Sequence, residues 1–182
     1  MMRYVVVVAA ALVVTAAAVA AAPSGISQQS IGGIKLGMTQ AQVKAILGAS
    51  KTRPGTADNP GQPEGWTALV SAKKKLSVFF EQGSDKAVMV TTWNPAYRTA
   101  EGARPCMKIS KLKEIYGKRL KPSKHNLVGG KAFAYTLGKR LMFGADAAPP
   151  TPSKTVTAIG LYDGTAGMQG YAGFVTDSEQ NC

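Results

Sequence analysis

The chain has 182 residues, 45% of them hydrophobic, and a formal net charge of +12 at pH 7. That length and apolar content suffice to bury a core in one domain or two small ones. A single histidine excludes a His-rich metal centre, and two cysteines allow at most one intrachain disulfide.

Residues 1–22 have the layout of a cleaved secretory signal. Met1, Met2 and Arg3 give a short basic start, a Val/Ala/Leu run begins at Tyr4, and small-x-small sites follow at residues 18–20 and 20–22. The alternative is an uncleaved anchor, against which stand the alanine-rich run and Thr15. The absence of a cysteine at the cleavage site disfavours a lipoprotein. The expectation is a mature chain starting at Ala21 or Pro23, located outside the cytoplasm as a secreted or envelope protein.

Residues 23–33 form a flexible lead-in, and then comes the best-marked stretch. Thr39 stands at a helix N-cap position, Gln42 completes a capping box three residues on, and Met38 with Val43 can close a hydrophobic staple. Val43, Ile46 and Leu47 make one apolar stripe, and Gly48 supplies the left-handed exit. Residues 51–65, with Pro54, Pro60 and Pro63, read as a long exposed loop. Three strands follow at 66–71, 76–81 and 87–93, joined at hairpin distances and therefore antiparallel. Alternation places Leu76, Val78, Phe80, Val88 and Val90 on the face covered by the helix, and Phe79, Met89 and Trp93 on the other, where either the second unit packs on them or they form an exposed binding patch.

Residues 95–105 have the composition of a linker, after which the pattern returns. Shifted by 69 residues, Met38, Val43, Ile46, Leu47 and Gly48 fall on Met107, Leu112, Ile115, Tyr116 and Gly117, which predicts a second helix with Ser110 as its N-cap. Strand-like runs recur at 133–137, 140–143 and 155–162, while 121–130 reads as a loop. The fold class expected is therefore α+β: a tandem repeat of a short helical segment packed on a small antiparallel sheet. Its units are residues 23–94 and 106–182, the second ending in a Gly-rich tail.

Charge is concentrated in the second half. Residues 104–140 hold eleven Lys or Arg against Glu114 alone, a basic patch that includes Lys108, Lys111, Lys118, Arg119 and Lys121. Such a block favours anionic partners such as cell-envelope polymers; the alternative is a solvated face. Nucleic acid is disfavoured by export and by the lack of interleaved stacking aromatics. Cys106 and Cys182 are an even count in an exported chain, so a disulfide is expected. The rival, Cys106 as a nucleophile with His125 as base, rests on two isolated residues. No nucleophile elbow, phosphate loop or paired carboxylates are evident, so no catalytic residue, metal or cofactor is assigned.

The run Leu-Gly-Met-Thr-x-x-x-Val-x-x-x-x-Gly from Leu36 to Gly48, followed by a loop and antiparallel strands, resembles the signature of the β-lactamase inhibitory protein and of SmpA/OmlA-type outer-membrane assembly lipoproteins. The chain departs from the inhibitory protein's disulfide in each unit, and from the lipoproteins' acylated cysteine. The resemblance implies a binding scaffold whose outer sheet faces meet another protein. The function expected is thus an exported, non-enzymatic protein-binding module, with Phe79, Met89, Trp93, Trp66 and Tyr135 as binding residues. A basic binder of anionic envelope polymers is the alternative, and a secreted hydrolase a more distant one.

Overall fold

In the computed structural model, which describes residues 25–55, 64–127, 130–145 and 153–163, the two helices differ in how they are held. Helix α1 (Gln40–Leu47) has its expected capping box: Thr39 Oγ1 accepts from the Gln42 amide at 3.2 Å, and Gln42 Oε1 accepts from the Thr39 amide at 2.9 Å. The chain leaves through Gly48 at φ 68, a conformation that side chains with a Cβ resist. Val43 and Leu47 are buried, with Met38 and Ile46 packed on the same core. Helix α2 (Ile109–Tyr116) follows Lys108, which makes no side-chain cap bond. Ser110, the expected cap, lies inside the first turn instead. Burial of Ile109, Leu112 and Tyr116, not capping, fixes this helix.

Strands β4 (Lys51–Pro54), β5 (Thr67–Ser71), β6 (Leu76–Phe80) and β7 (Ala87–Thr92) form one antiparallel meander. Strands β9 (Leu120–Leu127), β10 (Gly130–Leu137), β11 (Leu141–Gly144) and β12 (Ile159–Tyr162) form another. The last strands of the two pair with each other, Val90 opposite Leu161 and Met89 opposite Tyr162, giving one eight-stranded sheet in the order β4-β5-β6-β7-β12-β11-β10-β9. This corrects the expected α+β tandem of short helices on separate small sheets. Strand occupies 43% and helix 16% of the described residues, so the protein is mainly β, with two short helices on one continuous antiparallel sheet. The physical reason lies in β7 and β12, which are apolar and buried on both faces and would be costly as free edges.

Both true edges of that sheet carry lysine and proline. All four residues of β4 are exposed, and β9 presents exposed Lys121, Pro122 and Lys124. Those residues made both segments look like loops, because proline and charge are depleted in interior strands yet acceptable at an edge.

A second, four-stranded sheet has the order β3-β2-β1-β8, from β1 (Gly25–Ile26), β2 (Ser30–Ile31), β3 (Ile34–Lys35) and β8 (Arg98–Thr99), with β1 and β8 parallel. Segments that read as lead-in and linker are therefore structural. Ile26, Ile31, Ile34, Tyr97 and Ala103 are buried, and Gln28 Nε2 donates to the Leu137 carbonyl at 2.6 Å. Gly32 leaves no room for a side chain: a Cβ there would meet Tyr97 Cε1 at 2.7 Å.

The large sheet has two apolar faces. On the helix face, Leu69, Leu76, Val78, Phe80, Val90, Phe143, Ile159 and Leu161 pack with the buried residues of α1, α2 and the small sheet. On the other lie Ala68, Phe79, Met89, Ala134, Met142, Ala158 and Tyr162. A register irregularity between Phe79 and Phe80 sets Phe80 opposite Ala87 and displaces one expected residue. Ala87 joins the helix face, and Val88 packs on the second face with Met89.

Candidate functional site: a basic face over helix α2 and strand β9

The apolar residues expected to bind a partner do not form an exposed patch. Phe79 is 7% exposed and Met89 fully buried, paired across β6 and β7 within the second-face cluster. Of the two expectations for that face, packed or exposed, the burial of both side chains fits the packed one. Trp66 and Trp93 are half-buried against the same cluster, while Tyr135 belongs to the helix face. The structure thus groups four of the five and separates Tyr135 from them.

The five expected basic residues are all exposed and follow one another along α2, the 3-10 turn Gly117–Arg119 and the start of β9. Lys111 Nζ pairs with Glu114 Oε2 at 2.8 Å, and Arg119 Nη2 lies 3.9 Å from Glu101 Oε1. Among the described residues, Lys108, Lys118 and Lys121 have no carboxylate within 4.0 Å. Two further cations of the 104–140 block stand over aromatic rings. Lys113 Nζ lies 5.3 Å from the centroid of the Tyr135 ring, and Lys124 Nζ lies 5.8 Å from that of Phe133. Cross-strand register explains the second pair, since Phe133 is opposite Lys124 and Tyr135 opposite Pro122. The signal was present in the lysine spacing, but reading it required knowing that 120–127 is a strand.

A hydrogen-bonded cluster anchors one end of this face. The Thr99 and Tyr116 hydroxyls are 2.7 Å apart, the Tyr116 hydroxyl donates to Glu101 Oε2 at 3.2 Å, and the Arg119 guanidinium lies 5.2 Å from the Tyr116 ring centroid. A bond from its own backbone amide, helped by Thr99, Tyr116 and Arg119 against some desolvation, holds the Glu101 carboxyl below the ordinary carboxylate range. Burial pushes the Tyr116 phenol up, so the hydroxyl stays protonated and able to donate.

Cys106 is not a free thiol, which removes the nucleophile the rival reading required. Cys182 lies outside the described residues, as do residues 1–24 with the expected signal; His125 lies in β9, its side chain outside the described ones. Among the described residues no group of three or more His, Cys, Asp or Glu could hold a metal ion, and no helix is long and apolar enough to cross a membrane.

No protein-family model matches this chain, and no curated protein matches it. Among solved structures it is similar to the uncharacterized protein YfeY from Escherichia coli, at 11% identity and a TM-score of 0.52, over 76% of this chain and 99% of that one. That likeness is one of fold alone. It lends no support to the resemblance carried by residues 36–48, which in this structure serve helix capping.

Proposed function

We propose that this protein is an exported, non-enzymatic binding module that engages an anionic envelope polymer through the basic face of α2 and β9. The observation that carries this reading is a set of exposed lysines, Lys108, Lys113, Lys118 and Lys124, that meet no carboxylate among the described residues, while strand alternation turns Lys121 to the other face of β9. Phosphate or carboxylate groups spaced along a polymer would answer several of them at once and release condensed counterions on binding. Tyr135 and Phe133 lie between Lys113 and Lys124 as half-buried rings, giving the charged row an apolar floor.

Retention on immobilised polyphosphate, with neutral dextran as control, tests the proposal. With about four contacts and the slope of a single-stranded polyanion, affinity should fall about 50-fold between about 50 mM and about 200 mM salt. Lys113→Glu with Lys124→Glu should weaken retention at least about tenfold. Salt-independent retention, or a double variant that binds as well as the parent, overturns the reading.

A second reading, a protein partner met at the outer sheet face, keeps one favourable observation. Trp66 and Trp93 remain half-buried at the margin of the second-face cluster, where aromatic anchors are effective. A discrete envelope protein captured at high salt, and lost with Trp93→Ala, would favour it.

A further inference from the structure

We propose that the anionic polymer met by the basic face is a polysaccharide of acidic sugars, whose ring C–H faces stack on Tyr135 and Phe133 while their carboxylates take Lys113 and Lys124. The inference rests on the polymer-binding reading above and narrows it to one class of ligand.

Strand register lays out the site. Residues directly opposite in an antiparallel pair share one side of the sheet, and Phe133 stands opposite Lys124, Tyr135 opposite Pro122. That side is the one α2 packs on, because Tyr135 and Phe133 both rest against the helix-face core, as does buried Leu120 two residues before Pro122. Beyond Leu120 the cover ends. Pro122 and Lys124 are exposed, and both rings are only half-buried. Since β9 is an edge strand, the sheet margin carries a strip of two rings and a proline. Lys113 reaches this strip from the last turn of α2, and Lys124 from β9 itself. The rings are two residues apart along one strand, about 6.6 Å, so a single extended ligand can meet both.

Where the ammonium groups rest decides the kind of ligand. Neither meets a carboxylate among the described residues; Lys113 Nζ lies 5.3 Å from the Tyr135 centroid and Lys124 Nζ 5.8 Å from that of Phe133. Cation–π attraction at an exposed site is weak, and a charge-assisted hydrogen bond from an arriving anion is stronger. The flexible lysine stem lets the ammonium leave its ring for that anion, which uncovers the ring face. A polyphosphate is charged along its whole length and has no apolar surface to lay there. A nucleic-acid strand has bases to stack, but its phosphate is separated from each base by the sugar, whereas here cation and ring are in contact. An acidic sugar carries its carboxylate directly on a ring whose C–H face is apolar, so one ligand unit answers both the cation and the surface it leaves behind.

Titration of the full chain with polygalacturonate oligomers, and with polyphosphate of equal charge number, tests the inference. At about 0.15 M ionic strength, polygalacturonate should bind at least about tenfold more tightly. Tyr135→Leu keeps an aliphatic side chain against the core and removes the flat ring. It should weaken polygalacturonate at least about fivefold and change polyphosphate by less than about twofold, while Tyr135→Phe should keep the parent's preference. Saturation-transfer NMR should show magnetisation passing from protein aromatic protons to the sugar ring protons. Polyphosphate, oligothymidine or anionic vesicles bound as tightly as polygalacturonate overturns the assignment, as does a Tyr135→Leu variant that weakens both polymers alike. Should that variant fail to fold, the ratio of the two parent affinities decides alone. Binding of polyphosphate without polygalacturonate removes this inference and leaves the polymer-binding reading standing, whereas binding of neither removes both.

Discussion

The two faces of the large sheet are both dry but are built differently. The helix face is closed by elements whose own sequence marks them: a capped helix, an uncapped helix pinned by Leu112 and Tyr116, and short strands contributing Ile26, Ile31 and Ile34. The second face has Phe79, Met89, Met142 and Tyr162 as its large residues and, among the described residues, no helix over it. Sheet alternation alone cannot distinguish a face that is covered from one that is offered to a partner, because both need large apolar side chains.

Truncation in the two faces gives the sharpest contrast. Phe143→Ala on the helix face should cost about 3 to 5 kcal/mol, measured by denaturant unfolding. Phe79→Ala should cost a comparable amount in the intact chain, because the ring is 7% exposed. A Phe79→Ala variant with unchanged stability would return that face to the list of exposed surfaces. Met89→Ala follows at about 2 to 5 kcal/mol, by the same measurement.

The helix face should then respond to capping. Thr39→Ala removes the capping-box acceptor and should lower stability by about 1 kcal/mol, whereas Lys108→Asp, which introduces an N-cap acceptor on α2, should raise it by about 0.5 to 1.5 kcal/mol. Paired thermal melts of the two variants check the opposite signs.

The smallest expected effect is on alkaline stability. Burial raises the phenols of Tyr97 and Tyr116 on the helix face and of Tyr162 on the second face above their ordinary value of 10.0. A raised folded value means that the unfolded chain loses these protons first. The associated stability is complete below pH 10 and lost as pH rises through the folded values. Tyr162→Phe should flatten part of that alkaline loss in a pH series of melts, and Tyr116→Phe another part. Equal slopes in parent and variants would mean that the rings ionise without opening either face.

What the sequence disclosed follows from which forces are local. The α1 capping box, the strand runs near 66–71, 76–81 and 87–93, and the shared face of Leu76, Val78, Phe80 and Val90 depend on neighbours in the chain, and each is present. The pairing of β7 with β12 is a contact between distant segments, and without it the two meanders look like separate sheets. The irregularity at Phe79 and Phe80 reverses the expected side of Val88, a one-residue shift that no periodicity records. The placing of cations over Tyr135 and Phe133 was hidden for a similar reason: Lys124 meets its ring only through strand register, and Lys113 only through the packing of α2.

The prolines at the sheet margins also determine how a partner can approach. Many binding modules take up an extended peptide as an additional strand, using a row of free amides and carbonyls on an outer strand. Pro54 in β4 and Pro122 in β9 each remove an amide from that row, and Lys51, Arg53, Lys121 and Lys124 surround what is left with positive charge. Augmentation of the sheet is disfavoured on both sides. Under the proposed function, recognition would therefore depend on the identity of side chains, which point substitutions can retune without altering the backbone.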